Sequence, residues 1–313
     1  MNYFISKIGY TILVLIGITL ISFVLANASN IDPAEAFARR EFRGASEEKV
    51  NEVRTELGFN ESIPRQYLNW IRKAIQLDFG NSYVTGKPVI SDLLNVFPVT
   101  LLIAIIAAVF MLMIAIPLGI ISAVYAKGMI PSIISVFSFS TLSIPGYFWG
   151  LIFVYLLGYK AHLFPVIGHG DIRSIIFASL VLAMPMIGSL SKMLRSLILQ
   201  YQQADFVMYA RARGISRKGI MLRHLLRNAA PPCLTMFGQN IGYLIAGTAI
   251  VENIFSCSGL GTYAISAALN RDFPVVTAYM FLMALLFVVC NLAADFGSHL
   301  LNPKSLDLQG RNQ

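Results

Sequence analysis

The chain has 313 residues, of which 56% are hydrophobic and 13% charged, with a net charge of +8. A soluble globular protein carries about 25% charged residues, so the composition excludes an ordinary water-soluble domain and points to a membrane protein. Three cysteines, Cys233, Cys257 and Cys290, make no CxxC pair, which argues against a disulfide framework or a zinc site.

Six apolar runs reach the roughly 20 residues needed to cross a hydrocarbon core of about 30 Å. They lie near 8–26, 98–125, 131–158, 174–194, 231–255 and 274–300. The expectation is an all-α membrane protein with six transmembrane helices. The first run follows Lys7 and ends at Ala26, Asn27 and Ala28, a flank that also fits a cleavable signal. Its 18 apolar residues exceed the usual signal core of about 7–15, so a retained helix is favoured. Residues 1–26 are then the N-terminal tail and first helix.

Residues 27–97 form one sizeable extracytoplasmic segment, with ten acids and nine bases. It carries no net field to attract a charged ligand. Ser46 to Arg54 has the pattern of a short capped helix ending near Gly58. Tyr67, Leu68, Ile71 and Ile75 recur at helical spacing. The segment is too short and too poor in apolar residues to be a full domain. The stretch Gly80 to Pro88 looks like a phosphate-binding loop, but has one residue too many between Gly80 and Gly86. Pro88 also stands where Ser or Thr is required.

Residues 98–301 supply a five-helix core. Pro98 opens the second span, Pro117 lies within it, and Pro185 lies in the fourth; such prolines kink helices whose neighbours serve the freed carbonyls. Gly146 and Gly150, like Gly238 and Gly242, sit one turn apart and permit close helix packing. Lys127, the basic 195–229 loop, and Lys304 and Arg311 in the tail 302–313 all fall on one side with Lys7. By the positive-inside rule both termini are cytoplasmic. On the opposite side Lys160 and Arg173 lie near Asp171, and Arg271 is next to Asp272.

Motifs of hydrolases and nucleotide sites are missing. There is no HExxH, no GxSxG and no pair of intramembrane acids, and Gly259 and Gly261 lack the third glycine and preceding strand of a dinucleotide fingerprint. No catalytic residue and no metal ligand set is expected; His162 and His169 share a loop without partners at ligand spacing. Intramembrane acids are costly and therefore functional candidates. Glu252, near the outer end of the fifth span, is read with Asn253, Gly259 and Gly261 as a translocation path or outer gate. The competing reading of Glu252 is an interfacial acid paired locally. Asp295 is read as an ion-pair partner of the basic inner loops.

Eight of the 24 Lys and Arg residues fall between Lys192 and Arg227, against one acid, Asp205. This island divides at Gly214. Ala204 to Arg213 is expected to continue the fourth span helically. Ser216 can cap a short helix whose Met221, Leu222, Leu225 and Leu226 share one arc, with Arg217, Arg223, His224 and Arg227 opposite. Gly214 suits a sharp turn, and Pro231 and Pro232 are expected to end the element. Positive-inside charge accounts for the basic residues alone. A hinged amphipathic layout goes further and suits docking into a partner's groove.

The run Ala210, Arg211, Ala212, Arg213, Gly214, followed by Arg223, His224, Leu225, Leu226, Arg227, Asn228 and Ala229, resembles the coupling motif of binding-protein-dependent ABC importer permeases. The form of the first five is similar to the dipeptide, oligopeptide and nickel branch. The resemblance extends through Leu57 to Phe59, Leu77 to Gly80, Val251 to Phe255, Gly259 to Gly261, Asn270 to Val275 and Leu301 to Lys304. Two positions depart from the family pattern. Met208 stands where the broader motif has Glu, a departure the peptide and nickel branch shares. Cys257 and Ser258 stand where a Trp-Pro pair is usual.

The resemblance implies a type I ABC importer permease fold and a non-catalytic transport subunit. It implies a second homologous permease, two cytoplasmic ATPase subunits that bind the ATP and Mg, an extracytoplasmic solute-binding protein, and membrane lipid as partners. It implies no cofactor in this chain and no nucleic acid. Ala210 to Gly214 and Arg223, His224, Leu225, Arg227 and Asn228 would couple to the ATPase. The cargo would be nickel, as ion or chelate, or small peptides; the wording around Glu252 and Asn270 to Asp272 is nearer to the nickel permeases. A stand-alone secondary transporter or channel is the rival class, which calls for a midplane acid that this sequence lacks.

Overall fold

The computed structural model describes residues 45–56, 58–166 and 171–301 (backbone alone for 294–301), with residues 9, 13–21, 23, 24, 34, 35, 37, 38 and 42. Expectations for Lys7, the 26–28 flank, His169, the side chain of Asp295 and the tail 302–313 lie outside the described residues. Residues 13–21, inside the predicted first span, are helical. There follow α1 Glu47–Glu56, α2 Ile63–Ile75, α3 Val89–Val124, α4 Met129–Ser143 and α5 Gly146–Phe153, which runs on as a π-helical turn Val154–Lys160. Then come α6 Ile172–Tyr201, α7 Asp205–Ala212, α8 Arg217–Ile220, a π-helical turn Met221–Leu225, α9 Leu226–Ile254, α10 Leu260–Leu269 and α11 Phe273–Leu301.

Among the described residues, Val89–Val124, Ile172–Tyr201, Arg217–Ile254 and Phe273–Ala293 are long and apolar enough to cross a membrane. The third predicted span differs from expectation. It is broken into α4 and α5, bent by 106°, and makes a fifth span if the pair counts as one. The break falls at Ile144, which is extended (ψ 127°), because the ring of Pro145 disfavours helical geometry in the residue before it. The second helix also differs: it begins at Val89 rather than at Pro98. At 1.5 Å per residue it is about 54 Å long, so it extends well past a hydrocarbon core.

The chain forms two compact units. The first comprises Met1–Val99 and Ser258–Leu286. Its core joins Ala74 of α2 and Phe79 to Val89 and Leu93 of α3, Leu260 and Ala267 of α10, and Val275 of α11. Thr19 Oγ1 lies 2.8 Å from the Tyr67 hydroxyl, tying the helical residues 13–21 to α2. Val50 and Val53 of α1 bury against Ala34 and Ala38.

The second unit comprises Thr100–Cys257 and Phe287–Gln313. Two-thirds of the most apolar window of α6 is buried, and α4, α5 and α9 pack against it. Close approach of α4 depends on small residues. Ser138 Oγ lies 3.3 Å from Ser191 Oγ, and a Cβ at Gly188 would stand 2.5 Å from Thr141 Oγ1.

Candidate coupling loop and buried glutamate

Three residues decide the path of the basic loop. Helix α6 stops at Tyr201, and Ala204 is extended (φ −76°, ψ 148°) before α7 begins at Asp205. Ala204 to Arg213 therefore does not continue the fourth span, contrary to the sequence expectation. Asp205 in the first turn of α7 meets the positive end of its helix dipole, which favours a new start there. Gly214 takes φ +74°. Its N–H donates to Arg211 O at 2.9 Å and the Ile215 N–H donates to Ala210 O at 3.2 Å, the two bonds of a Schellman close.

Ser216 caps the next helix as expected, its Oγ accepting from the Gly219 N–H at 3.2 Å. That helix is not a separate short one. It runs without a break from Arg217 to Ile254, and Pro231 and Pro232 lie inside it, correcting the expectation that they end it. The prolines leave the carbonyls of Arg227 and Asn228 without their i+4 donors. Both residues are exposed, so water can serve those carbonyls. The short free-standing helix of the loop is α7.

The π-helical turn at Met221–Leu225 also changes which residues are covered. Ile220 and Leu225, five apart as that turn's hydrogen bonds are, are both buried, whereas Leu222 is 55% exposed. A wheel at 100° per residue puts Leu222 in the covered arc; the wider turn moves it out. Val207 and Ala210 of α7 pack with Leu194, Ile198, Ile220 and Leu225 into one cluster. Arg211, Ala212, Arg213, Gly214, Arg223, Arg227 and Asn228 are exposed, and His224 is half-buried. Asn228 Nδ2 donates to His224 O at 2.7 Å. Ala210 and Leu225 thus hold the loop together, while the arginines form its surface.

Sequence reasoning overlooked two members of that surface. Met208 and Tyr209 are 67% and 65% exposed on α7, and the Arg213 guanidinium lies 5.4 Å from the centre of the Tyr209 ring. The available signal was the alternation on α7 itself: Val207 and Ala210 share one face, which leaves Met208 and Tyr209 on another.

Glu252 lies in the last turn of α9 and is fully buried. Thr100 Oγ1 of α3 donates to Glu252 Oε1 at 2.7 Å. Beyond it the chain reverses: the Cys257 N–H donates to Glu252 O at 2.8 Å, and Ser256 takes φ +54°. Phe255 is buried against Phe164, ring centres 5.5 Å apart. Asn253 beside it is exposed. Gly259 caps α10 and Gly261 lies in its first turn, both buried; they belong to the other compact unit.

The region resembling a phosphate loop has a different role. Asn81 and Pro88 bridge, and the intervening residues close on the buried Asp272. Asp272 accepts from Ser82 Oγ, from the Tyr83 N–H at 3.0 Å and from the Val84 N–H at 3.3 Å. Burial, and then the Asp272 charge, push the Tyr83 phenol far above its usual range. At the start of α6, Asp171 accepts from the Arg173 N–H and side chain, both at 2.8 Å; these bonds hold its carboxyl below the usual carboxylate range. Among the described residues no three His, Cys, Asp or Glu side chains group as a metal site.

The chain matches known families and proteins along most of its length. The family described as "Binding-protein-dependent transport system inner membrane component" matches residues 115–306, and its N-terminal companion family matches residues 1–104. The oligopeptide transport system permease protein AppB of Bacillus subtilis (strain 168) is 34% identical over 313 residues, covering 96% of this chain and 98% of AppB. The metal-staphylopine import system permease protein CntB of Staphylococcus aureus (strain NCTC 8325 / PS 47) is 30% identical, covering 97% of each chain. The nickel import system permease protein NikB of Staphylococcus aureus (strain USA300) is 29% identical over 293 residues, covering 94% of this chain and 88% of NikB. Among solved structures, the inward-facing MetNI methionine ABC transporter aligns with TM-score 0.53 at 17% identity. It covers 67% of this chain and 95% of that one, a likeness of fold.

Proposed function

We propose a working cycle from the premise that this chain belongs to the binding-protein-dependent transport system inner membrane component family. It is a permease subunit of an ATP-driven importer of the peptide and nickel group, a multi-pass protein of the bacterial inner membrane. Its partners are an ATPase and a solute-binding protein. The assembly contains this chain, a second homologous permease and two ATPase subunits that bind ATP and Mg. Six spans, counting 8–26, place both termini in the cytoplasm and the 27–97 segment outside, where it meets the binding protein.

Energy enters through the loop around Gly214. The observation that carries this reading is α7, a short helix closed by Gly214, anchored beneath by Val207 and Ala210 and presenting Met208, Tyr209 and Arg213 outward. Such a helix fits a groove as an apolar and aromatic knob ringed by cations. Closure of the ATPase pair on ATP pulls it sideways. Because Leu225 lies in the same cluster and near the start of the long helix that carries Glu252 in its last turn, the movement passes along that helix. Glu252 and Asn253, with Gly259 and Gly261, serve the outer gate.

Small peptides are the first cargo proposed, favoured by the 34% identity with AppB; nickel or its chelate is the second, favoured by CntB and NikB. Uptake of labelled dipeptide against labelled nickel by the reconstituted complex separates them. Uptake by this chain without ATPase subunits would overturn the cycle.

A further inference from the structure

The first compact unit contains a cavity that neither coupling nor gating uses. Helix α2 turns Gln66, Asn69, Trp70 and Lys73 to one side, the i, i+3, i+4, i+7 set of a helix, and these residues line a space of about 410 Å³. Phe59, Phe79 and Tyr83 line it as well, with Phe273, Pro274 and Thr277 from the start of α11. All belong to the first compact unit. The volume lies within the roughly 300–1,000 Å³ of small-molecule sites.

Its chemistry has two parts. The wall is backed by further aromatic rings: Trp70, which lines the space, lies 6.2 Å from Tyr67 and 6.1 Å from Phe281, and the lining Phe79 lies 5.7 Å from Phe281. Within this wall the Trp70 Nε1 is buried with no hydrogen-bond partner, although a buried indole N–H ordinarily has one. The polar part carries both signs. Lys73 is exposed and is the one cation among the lining residues. Glu61 and Asp78 are the acids; Glu61 accepts from Asn69 Nδ2 at 2.9 Å and Asp78 from the Gly80 N–H at 3.0 Å.

From this we infer that the cavity is a binding site for a short zwitterionic peptide with a large apolar side chain. The peptide carboxylate meets Lys73, its ammonium meets Glu61 or Asp78, and the side chain lies among Phe59, Phe79 and Tyr83. The ligand class is read from the cavity and does not depend on what the complex carries, so binding here and uptake by the complex are separate measurements.

Trp70 supplies its own reporter, since the chain has two tryptophans and Trp149→Phe leaves Trp70 alone. The full-length chain in lipid nanodiscs is titrated with Phe-Phe and with its C-terminal amide while Trp70 fluorescence is recorded. The expected result is a saturable change with Phe-Phe and an affinity about fivefold or more weaker for the amide, because the charge-assisted bond to Lys73 is lost. Lys73→Ala should weaken Phe-Phe alike and leave the amide unchanged, and Lys73→Arg should restore the difference. No saturable change, or equal binding of the amide, overturns the proposal. So does quenching of Trp70 by acyl-brominated phospholipid that Phe-Phe fails to relieve, because an acyl chain then fills the cavity.

Discussion

Thr100, about a third of the way along α3, donates a 2.7 Å hydrogen bond to Glu252, the fully buried acid in the last turn of α9. A carboxyl group placed there is costly unless its oxygens are served, and the threonine serves one of them. Thr100→Val keeps the shape and removes the donor. It should cost about 1–3 kcal/mol, read as a lower midpoint of thermal unfolding in detergent. Glu252→Gln keeps an acceptor for Thr100 and should unfold near the wild type. If Glu252 belongs to the outer gate, Glu252→Gln loses uptake while remaining folded; unchanged uptake makes the acid's role structural, with Thr100 among its partners.

Gly214 is open to substitution on steric grounds, since no atom lies within 4 Å of the position a Cβ would take. The obstacle is its φ of +74°. A β-branched residue there pays roughly 1–2 kcal/mol and loosens the Schellman close. Gly214→Val should therefore separate ATP hydrolysis from uptake, and Gly214→Asn, which tolerates that backbone, should keep most of the coupling. Normal uptake by Gly214→Val at equal membrane abundance would remove the turn from the cycle.

Met208 and Tyr209 lie outside the packed cluster of the loop. Met208→Asp and Tyr209→Asp should leave the unfolding midpoint unchanged and reduce the ATPase that co-purifies with the permease. Val207→Asp is the contrast, because Val207 is fully buried; it should lower the permease's own stability.

Asp272 receives three donors from Ser82, Tyr83 and Val84. Asp272→Ala leaves Ser82 Oγ and the Tyr83 N–H without this acceptor, at roughly 1–3 kcal/mol apiece where they stay buried, while the Val84 N–H keeps Ser82 Oγ at 3.1 Å. The expected reading is new protease cleavage between Gly80 and Pro88 in intact spheroplasts. Asp272→Asn, which retains acceptors, should be cut more slowly.

Gly188 faces α4 so closely that a Cβ would stand 2.9 Å from the backbone oxygen of Ser138. Gly188→Val should separate the two helices at a cost of about 1–3 kcal/mol. Gly146→Val in the same unit meets nothing within 4 Å and should cost less in the same unfolding measurement.

Much of the architecture was legible along the chain because it depends on local quantities. Apolar length sets which helices can cross a membrane. Gly214 turned left-handed and Ser216 capped the next helix, as their side chains or lack of one dictate. Local signals were also misread: Ile144 before Pro145 breaks the third span, whereas Pro231 and Pro232 break nothing. A proline's effect depends on whether the carbonyls it deprives can reach water, and that is a property of the folded surface.

The sequence by itself determined the membrane class, the apolar runs, the basic island and its hinge, since each follows from composition or from the conformational freedom of one residue. Tertiary structure alone decided that α7 is the free-standing helix, that Leu222 is turned outward by a π-helical turn, and that Trp70 borders a cavity. It also decided the partners of the buried acids. Thr100 and Glu252 are 152 residues apart and Ser82 and Asp272 are 190 apart. No periodicity records such pairs, because the cost that enforces them, an unserved carboxyl group away from water, exists only once the chain has folded.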